Sequence, residues 1–325
     1  MPDSSKGPLA IAASIILAVG CSSGTEPHNF PPPSHPSGST ASRILGLGGR
    51  PFGVRVATTG DVLVTEQDLN RFVHLDSAAT TSSNVAVGRD PGDVISNATG
   101  RTAWVSGFFD GTISVVDLAT NTVTKTVPVS STNAYRLALS ANDARLYVTS
   151  TDGHLYTITT ATETPGPAAL LAGALQGLAI NHAGNALYVT ATSGSVWRLD
   201  PGSLATTKST SLSCQAQDVA VATDDSEVYV ACESGSVIVL DPTTLAVKTA
   251  IATPGDGPFG LAVSPDNTQL YVTSPGTGAL LIIDRANRTI VQSLAIAGTP
   301  RRVAFNAHGN KAYIANEGNW IDVIQ

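Results

Sequence analysis

The residues able to do chemistry stand where a repeating pattern is interrupted. At one register of the pattern lie Gly53, Asp93, Arg136, Gly177, Asp218, Gly260 and Arg302, four of them charged. One residue earlier lie Phe52, Tyr135, Gln176, Gln217, Phe259 and Arg301. A second series contributes Glu66, Glu233 and Glu317, and Arg55 replaces the alanine that five other copies carry at its slot. Arginine grips a carboxylate or phosphate bidentately. Arg55, Glu66, Asp93, Tyr135, Arg136, Gln217, Asp218, Glu233, Arg301, Arg302 and Glu317 therefore read as one charged and aromatic mouth. Such a mouth can bind a ligand or partner, or its charges can satisfy one another and plug the opening.

Catalytic motifs are absent. The chain has no GxSxG elbow, HExxH, phosphate loop or dinucleotide fingerprint. Of the histidines, His182 and His308 fall in polar turns, His74 and His154 on or near strands, and His28 and His35 in a proline-rich segment. None joins the mouth, so no catalytic residue, metal site or cofactor is expected, and the reading leans away from an enzyme. Cys214 and Cys232 are either a disulfide or two buried thiols, with no spacing that suggests zinc.

The elements that position these residues form a repeat. A large apolar residue recurs at Leu63, Trp104, Tyr147, Tyr188, Tyr229, Tyr271 and Tyr313, at intervals of 41 to 43 residues. Each copy opens with an apolar alternation, a turn of Asn, Asp, Gly or Ser, and a second apolar run: a hairpin. A third and a fourth run complete the unit. Four short strands per unit of about 40 residues predict a propeller blade. The fold is read as all-β, a seven-bladed β-propeller over 42–325. The last unit stops after three strands, and SRILGL (42–47) is the candidate to complete it and close the ring. The aromatic of each copy, and Asp76, Asp117, Asp200, Asp241 and Asp284 at third-strand ends, read as structural because they repeat.

LYVTS (146–150 and 270–274), LYVTA (187–191) and YIAN (313–316) resemble the YVTN-repeat (YncE-like) β-propeller family. The resemblance covers about 42–325 and implies the fold. Such repeats look like those of surface and envelope propellers, many with no assigned reaction. Virginiamycin B lyase is similar in ring shape, but its His/Glu site has no counterpart among the mouth residues.

The first 20 residues read as a signal peptide: Lys6, then an apolar run from Leu9 to Val19 too short to span a bilayer. Leu17-Ala18-Val19-Gly20-Cys21 resembles a bacterial lipoprotein processing box, which implies cleavage before Cys21 and lipidation of its thiol. Ordinary secretion is the alternative. Residues 21–41, rich in Pro, Ser and Gly, read as a tether. The expectation is a monomeric, lipid-anchored scaffold on the outer membrane, at the cell surface or on the periplasmic face, binding an envelope protein or small ligand and touching the membrane only through its anchor. The alternatives are a lyase- or hydrolase-like or cofactor-handling propeller with its site at the mouth, and a nucleic-acid-binding propeller. A net charge of −7 without a basic run disfavours the last.

Overall fold

The computed structural model describes residues 34–38, 41–131, 133–253, 255 and 257–325. The signal segment and Cys21 lie outside them. Seven antiparallel sheets follow one another along the chain, six of them in sequential order and the last completed by a strand from before the first. Their innermost strands are Pro51–Val56, Pro91–Ser96, Ala134–Leu139, Leu175–Ile180, Ala216–Val221, Leu261–Val263 and Pro300–Phe305. We number the blades 1 to 7 in that order.

The blades form because each hairpin carries its own turn chemistry. All seven inner hairpins place a left-handed residue at the same turn position: Gly60, Gly100, Asp143, Gly184, Asp225, Asn267 and Gly309. Glycine, Asn and Asp tolerate that conformation best. Where Asp or Asn occupies it, the side chain also reaches the preceding blade. The amides of Ala98, of His182 and Ala183, and of Thr223 donate to Asp143, Asp225 and Asn267 respectively. The repeated third-strand aspartates accept from their own turns; Asp117 Oδ1, for example, takes the amides of Ala119 and Thr120 at 2.9 and 2.8 Å. Hydrogen bonds from Thr81 and Thr80 hold the Asp76 carboxyl down at about 2.

Seven apolar clusters fill the seven spaces between adjacent blades, including the one between blades 7 and 1. The periodic aromatics belong to these clusters. Tyr147 and Tyr188 are buried and donate their hydroxyls to the carbonyls of Pro201 and Pro242 in the next blade, at 3.0 and 2.7 Å. Their role is packing between blades.

The ring closes as the truncated last unit predicts. Ala41–Leu45 pairs antiparallel with the last strand, Trp320–Ile324, as the outer strand of blade 7. Arg43 clips the joint: its Nε is 3.1 Å from Asp322 Oδ1, and its guanidinium lies 4.2 Å from the Trp320 ring centroid. Asp322 is buried and also accepts from Asn316 and Trp320. The stretch 34–38 lies against the ring, where Ser34 N donates to the His308 carbonyl and His35 Nδ1 is 2.6 Å from Asp266. Cys214 and Cys232 are joined by a disulfide with Cα atoms 5.5 Å apart. One blade departs from four continuous strands. The outer strand of blade 3 is split into Thr164–Pro165 and Ala169–Leu170, because Pro165 and Pro167 cannot donate to a ladder.

Candidate functional site

The axial site is built by an irregularity at the start of the inner strands. In blade 1, Pro51 pairs with Glu66 and Val54 with Val64, so Phe52 and Gly53 together oppose Thr65. The same register shift recurs in blades 2, 3, 4, 5 and 7. A bulge turns consecutive side chains toward one side of a strand. Both residues of each pair therefore reach the channel, at two depths.

In blades 1 to 4 and in blade 6 a hydroxyl from the second strand holds the channel residue; blades 5 and 7 carry Ala231 and Ala315 there. Thr65, Ser106, Thr149, Thr190 and Thr273 accept from the amides of Gly53, Asp93, Arg136, Gly177 and Gly260 at 2.8 to 3.0 Å. Three of these hydroxyls also donate onward, Ser106 to the Tyr135 carbonyl, Thr149 to Gln176 and Thr273 to Arg301. The hydroxyl residue of the repeated YVT-type run is thus a joint between channel residues of neighbouring blades. Its recurrence was visible in the sequence; its target was not.

The deeper level is an ionic layer. Arg136 spans the channel, with Nη1 3.0 Å from Asp93 Oδ2 and Nη2 3.2 Å from Asp218 Oδ1. Arg302 Nη1 is 2.7 Å from Asp218 Oδ2, close enough for strong attraction but outside hydrogen-bond geometry. Arg55 approaches Asp93 at 3.4 Å. The two carboxylates also accept amides of the following blades, Leu137 N to Asp93 and Leu261 N to Asp218. Asp93, Arg136, Asp218 and Arg302 are all buried. Burial opposes the Asp218 charge, but Arg136 and Arg302 outweigh it and hold the carboxyl below its usual range. Burial likewise opposes the Arg302 charge; Asp218, Tyr135 and Asp93 overcome it and raise its pKa. Arg136 goes the other way, because burial and the neighbouring Arg302 lower it.

The shallower level is aromatic. Phe52, Tyr135 and Phe259 form a cluster at the axis, joined by Phe108. Arg302 lies below these rings and Arg301 also stacks on them; each guanidinium is 4.7 Å from the Phe259 centroid. Tyr135 receives a hydrogen bond from Arg302 Nη2 at 3.0 Å.

These two levels divide the channel. Above the rings lies an open basin of about 350 Å³, edged by Arg50, Gln176, Gln217, Arg301 and Glu317. Below the ionic layer lies a second basin of about 280 Å³, walled by the remainder of the inner strands. The expected single mouth is therefore three places. Tyr135, Gln217, Arg301 and Glu317 line the upper basin, with Arg301 Nε 2.8 Å from Glu317. Asp93, Arg136, Asp218 and Arg302 form the buried layer, and Arg55 sits beneath it, facing the lower basin. Glu66 does not join them; it is buried against Arg71 in the adjoining strand, and burial raises its pKa. Glu233 is exposed, beside a separate hollow lined by Gly235 and Gly257. Among the described residues, no group of three or more His, Cys, Asp or Glu is arranged to hold a metal.

No family model matches this chain, and no curated protein does. A solved structure that it resembles is the Kuenenia stuttgartiensis hydrazine synthase. The match has a TM-score of 0.77 and covers 87% of this chain and 97% of that one, at 16% sequence identity. At that identity the likeness is one of fold: the chain is a seven-bladed propeller.

Proposed function

We propose that this chain is a binding propeller of the bacterial cell envelope, lipid-anchored through Cys21, with the upper basin as its recognition surface. One observation carries the reading: the basin floor is a cluster of aromatic rings held from beneath by a buried ionic layer. Ligand sites are concave, largely apolar and edged by a few polar groups. Here Phe52, Tyr135 and Phe259 supply the apolar floor, and Gln176, Gln217, Arg301 and Glu317 the polar edge. The floor is rigid because Arg302 ties Tyr135 to Asp218. The signal segment and the cysteine at its end support export and anchoring.

The test has two arms. Labelled palmitate should enter the protein in cells and be lost with Cys21→Ser; unchanged labelling in the variant would refute the anchor. A photocrosslinking residue at Gln176 should capture a ligand or partner in intact envelopes, and Arg301→Ala should remove the product. Products indifferent to substitution at the basin edge would refute the recognition surface.

A further inference from the structure

The lower basin has a composition of its own. Its apolar lining that is not buried between blades comes from Ile95, Ala179, Ile180, Ala220, Ala262 and Val263. Its rim carries His182 and Thr223, and His182 is an exposed turn residue, so the basin opens to solvent. Its polar groups sit at the inner end, where Arg55, Arg136, Arg302 and Asp218 all contribute to the lining.

The charges there do not balance. With Arg55, half-buried just beneath it, the layer sets three guanidiniums, Arg55, Arg136 and Arg302, against two carboxylates, Asp93 and Asp218. The Nε atoms of all three arginines are buried and have no hydrogen-bond partner, as is Arg302 Nη1. Arg136 and Arg302 are buried, at 5% and 2% exposure. Buried donors without acceptors are costly, and a buried guanidinium is stable when matched by an anion. Guanidiniums thus outnumber carboxylates by one, and the extra one, Arg55, faces the basin.

We propose that the lower basin binds a free, unbranched monocarboxylate, its carboxylate directed to Arg55 and the ionic layer and its alkyl chain to the apolar walls. A single charge matches the excess of one. A second charge would meet Asp218 and the apolar walls, which disfavours phosphate monoesters and dicarboxylates. Arginine suits the planar, two-oxygen geometry of a carboxylate. The volume, about 280 Å³, is at the small end of ligand sites and suits a short chain. The site lies across the ionic layer from the upper basin, so it stands or falls separately from the recognition surface above.

The test is calorimetric titration of the purified full-length chain with butyrate, hexanoate and octanoate, alongside 1-hexanol and inorganic phosphate. Affinity should rise about fourfold per methylene until the basin is filled, the ratio that corresponds to ~0.8 kcal/mol per buried CH₂. Hexanol and phosphate should bind at least tenfold more weakly than hexanoate. Ala220→Ile should abolish binding by filling the basin; blade 2 already carries Ile95 at that register, so the fold accommodates the larger side chain. Arg55→Met should weaken hexanoate at least tenfold, while Arg301→Ala, in the upper basin, should leave it unchanged. Absence of binding by every alkanoate would overturn the proposal, as would equal affinity for hexanol. Loss of binding in Arg301→Ala with retention in Ala220→Ile would also overturn it, by moving the site to the other face.

Discussion

Replacing Asp218 by asparagine should destabilise the ring far more than replacing Arg302 by methionine, although the two side chains touch each other. Asp218 is 1% exposed and Arg302 2%. Asp218 faces two guanidiniums, Arg302 at 2.7 Å and Arg136 at 3.2 Å. Unit charges about 4 Å apart attract by about 4 kcal/mol gross at an effective dielectric constant near 20. Asp218→Asn removes both attractions and leaves three guanidiniums facing Asp93 alone. Breaking a buried pair in this way costs about 3–5 kcal/mol net. Arg302→Met removes one attraction and the hydrogen bond to Tyr135. It also removes a buried charge, relieves the repulsion of Arg136 and leaves two arginines against two aspartates. Methionine fills much of the space among Phe52, Tyr135 and Phe259, so the net cost should be about 1–2 kcal/mol. Urea unfolding followed by tryptophan fluorescence would measure both; a shifted midpoint at unchanged slope reports stability alone. The expected gap is about 2 kcal/mol, roughly thirtyfold in the folding constant. An Arg302→Met variant as unstable as Asp218→Asn would refute the charge count on which the layer is interpreted.

Three further outcomes follow from the geometry. Arg43→Ala should lower stability by about 1–3 kcal/mol, by removing the charged partner of buried Asp322 at the ring closure, and limited proteolysis should then cut first near residue 41. Reduction of Cys214–Cys232, eighteen residues apart, should cost about 3 kcal/mol and be read as a lower urea midpoint with reductant present. Acid should unfold the ring as pH falls from 3.8 toward about 2. Hydrogen bonds from Thr81 and Ser226 depress Asp76 and Asp224 to about 2, and arginines outweigh burial at Asp218. Carboxyls with depressed folded pKa values contribute stability above their unfolded pKa and lose it as they protonate, so a flat stability profile over that interval would contradict these assignments.

The spacing of one aromatic per blade made the ring legible, and the missing fourth strand of the last unit made its closure legible, because both follow from what a blade must bury. Depth along the channel was not legible. Strict alternation sends neighbouring side chains to opposite faces, whereas the bulge sends Phe52 and Gly53, or Tyr135 and Arg136, to the same channel at different heights. Arg55 follows the bulge and so drops below the ionic layer. Glu66 looked like a mouth residue because it ends a second strand. Its partner Arg71 begins the next strand, directly across the pair, and that short-range pairing was available to read. The Arg43–Asp322 clip joins the two ends of the chain and leaves no periodic trace.

The three glycines of the ionic level explain why the channel can be closed at all. Seven blades present seven positions there, and side chains at every one would crowd the axis. A Cβ on Gly177 would lie 2.6 Å from Thr190 Oγ1 and 2.8 Å from the Val219 amide nitrogen, and one on Gly260 would strike the Arg301 carbonyl. Neighbouring blades therefore approach each other at the glycines, and the two arginines reach across the space that remains. Arg136 goes from blade 3 to the acids of blades 2 and 5, and Arg302 from blade 7 to blade 5. The two pairs made to Asp218 couple blades that share no apolar cluster. The same layer separates the two basins, so ligand on one side need not compete with ligand on the other. Arg302 belongs to both sides: it lines the lower basin and supports the aromatic floor of the upper one.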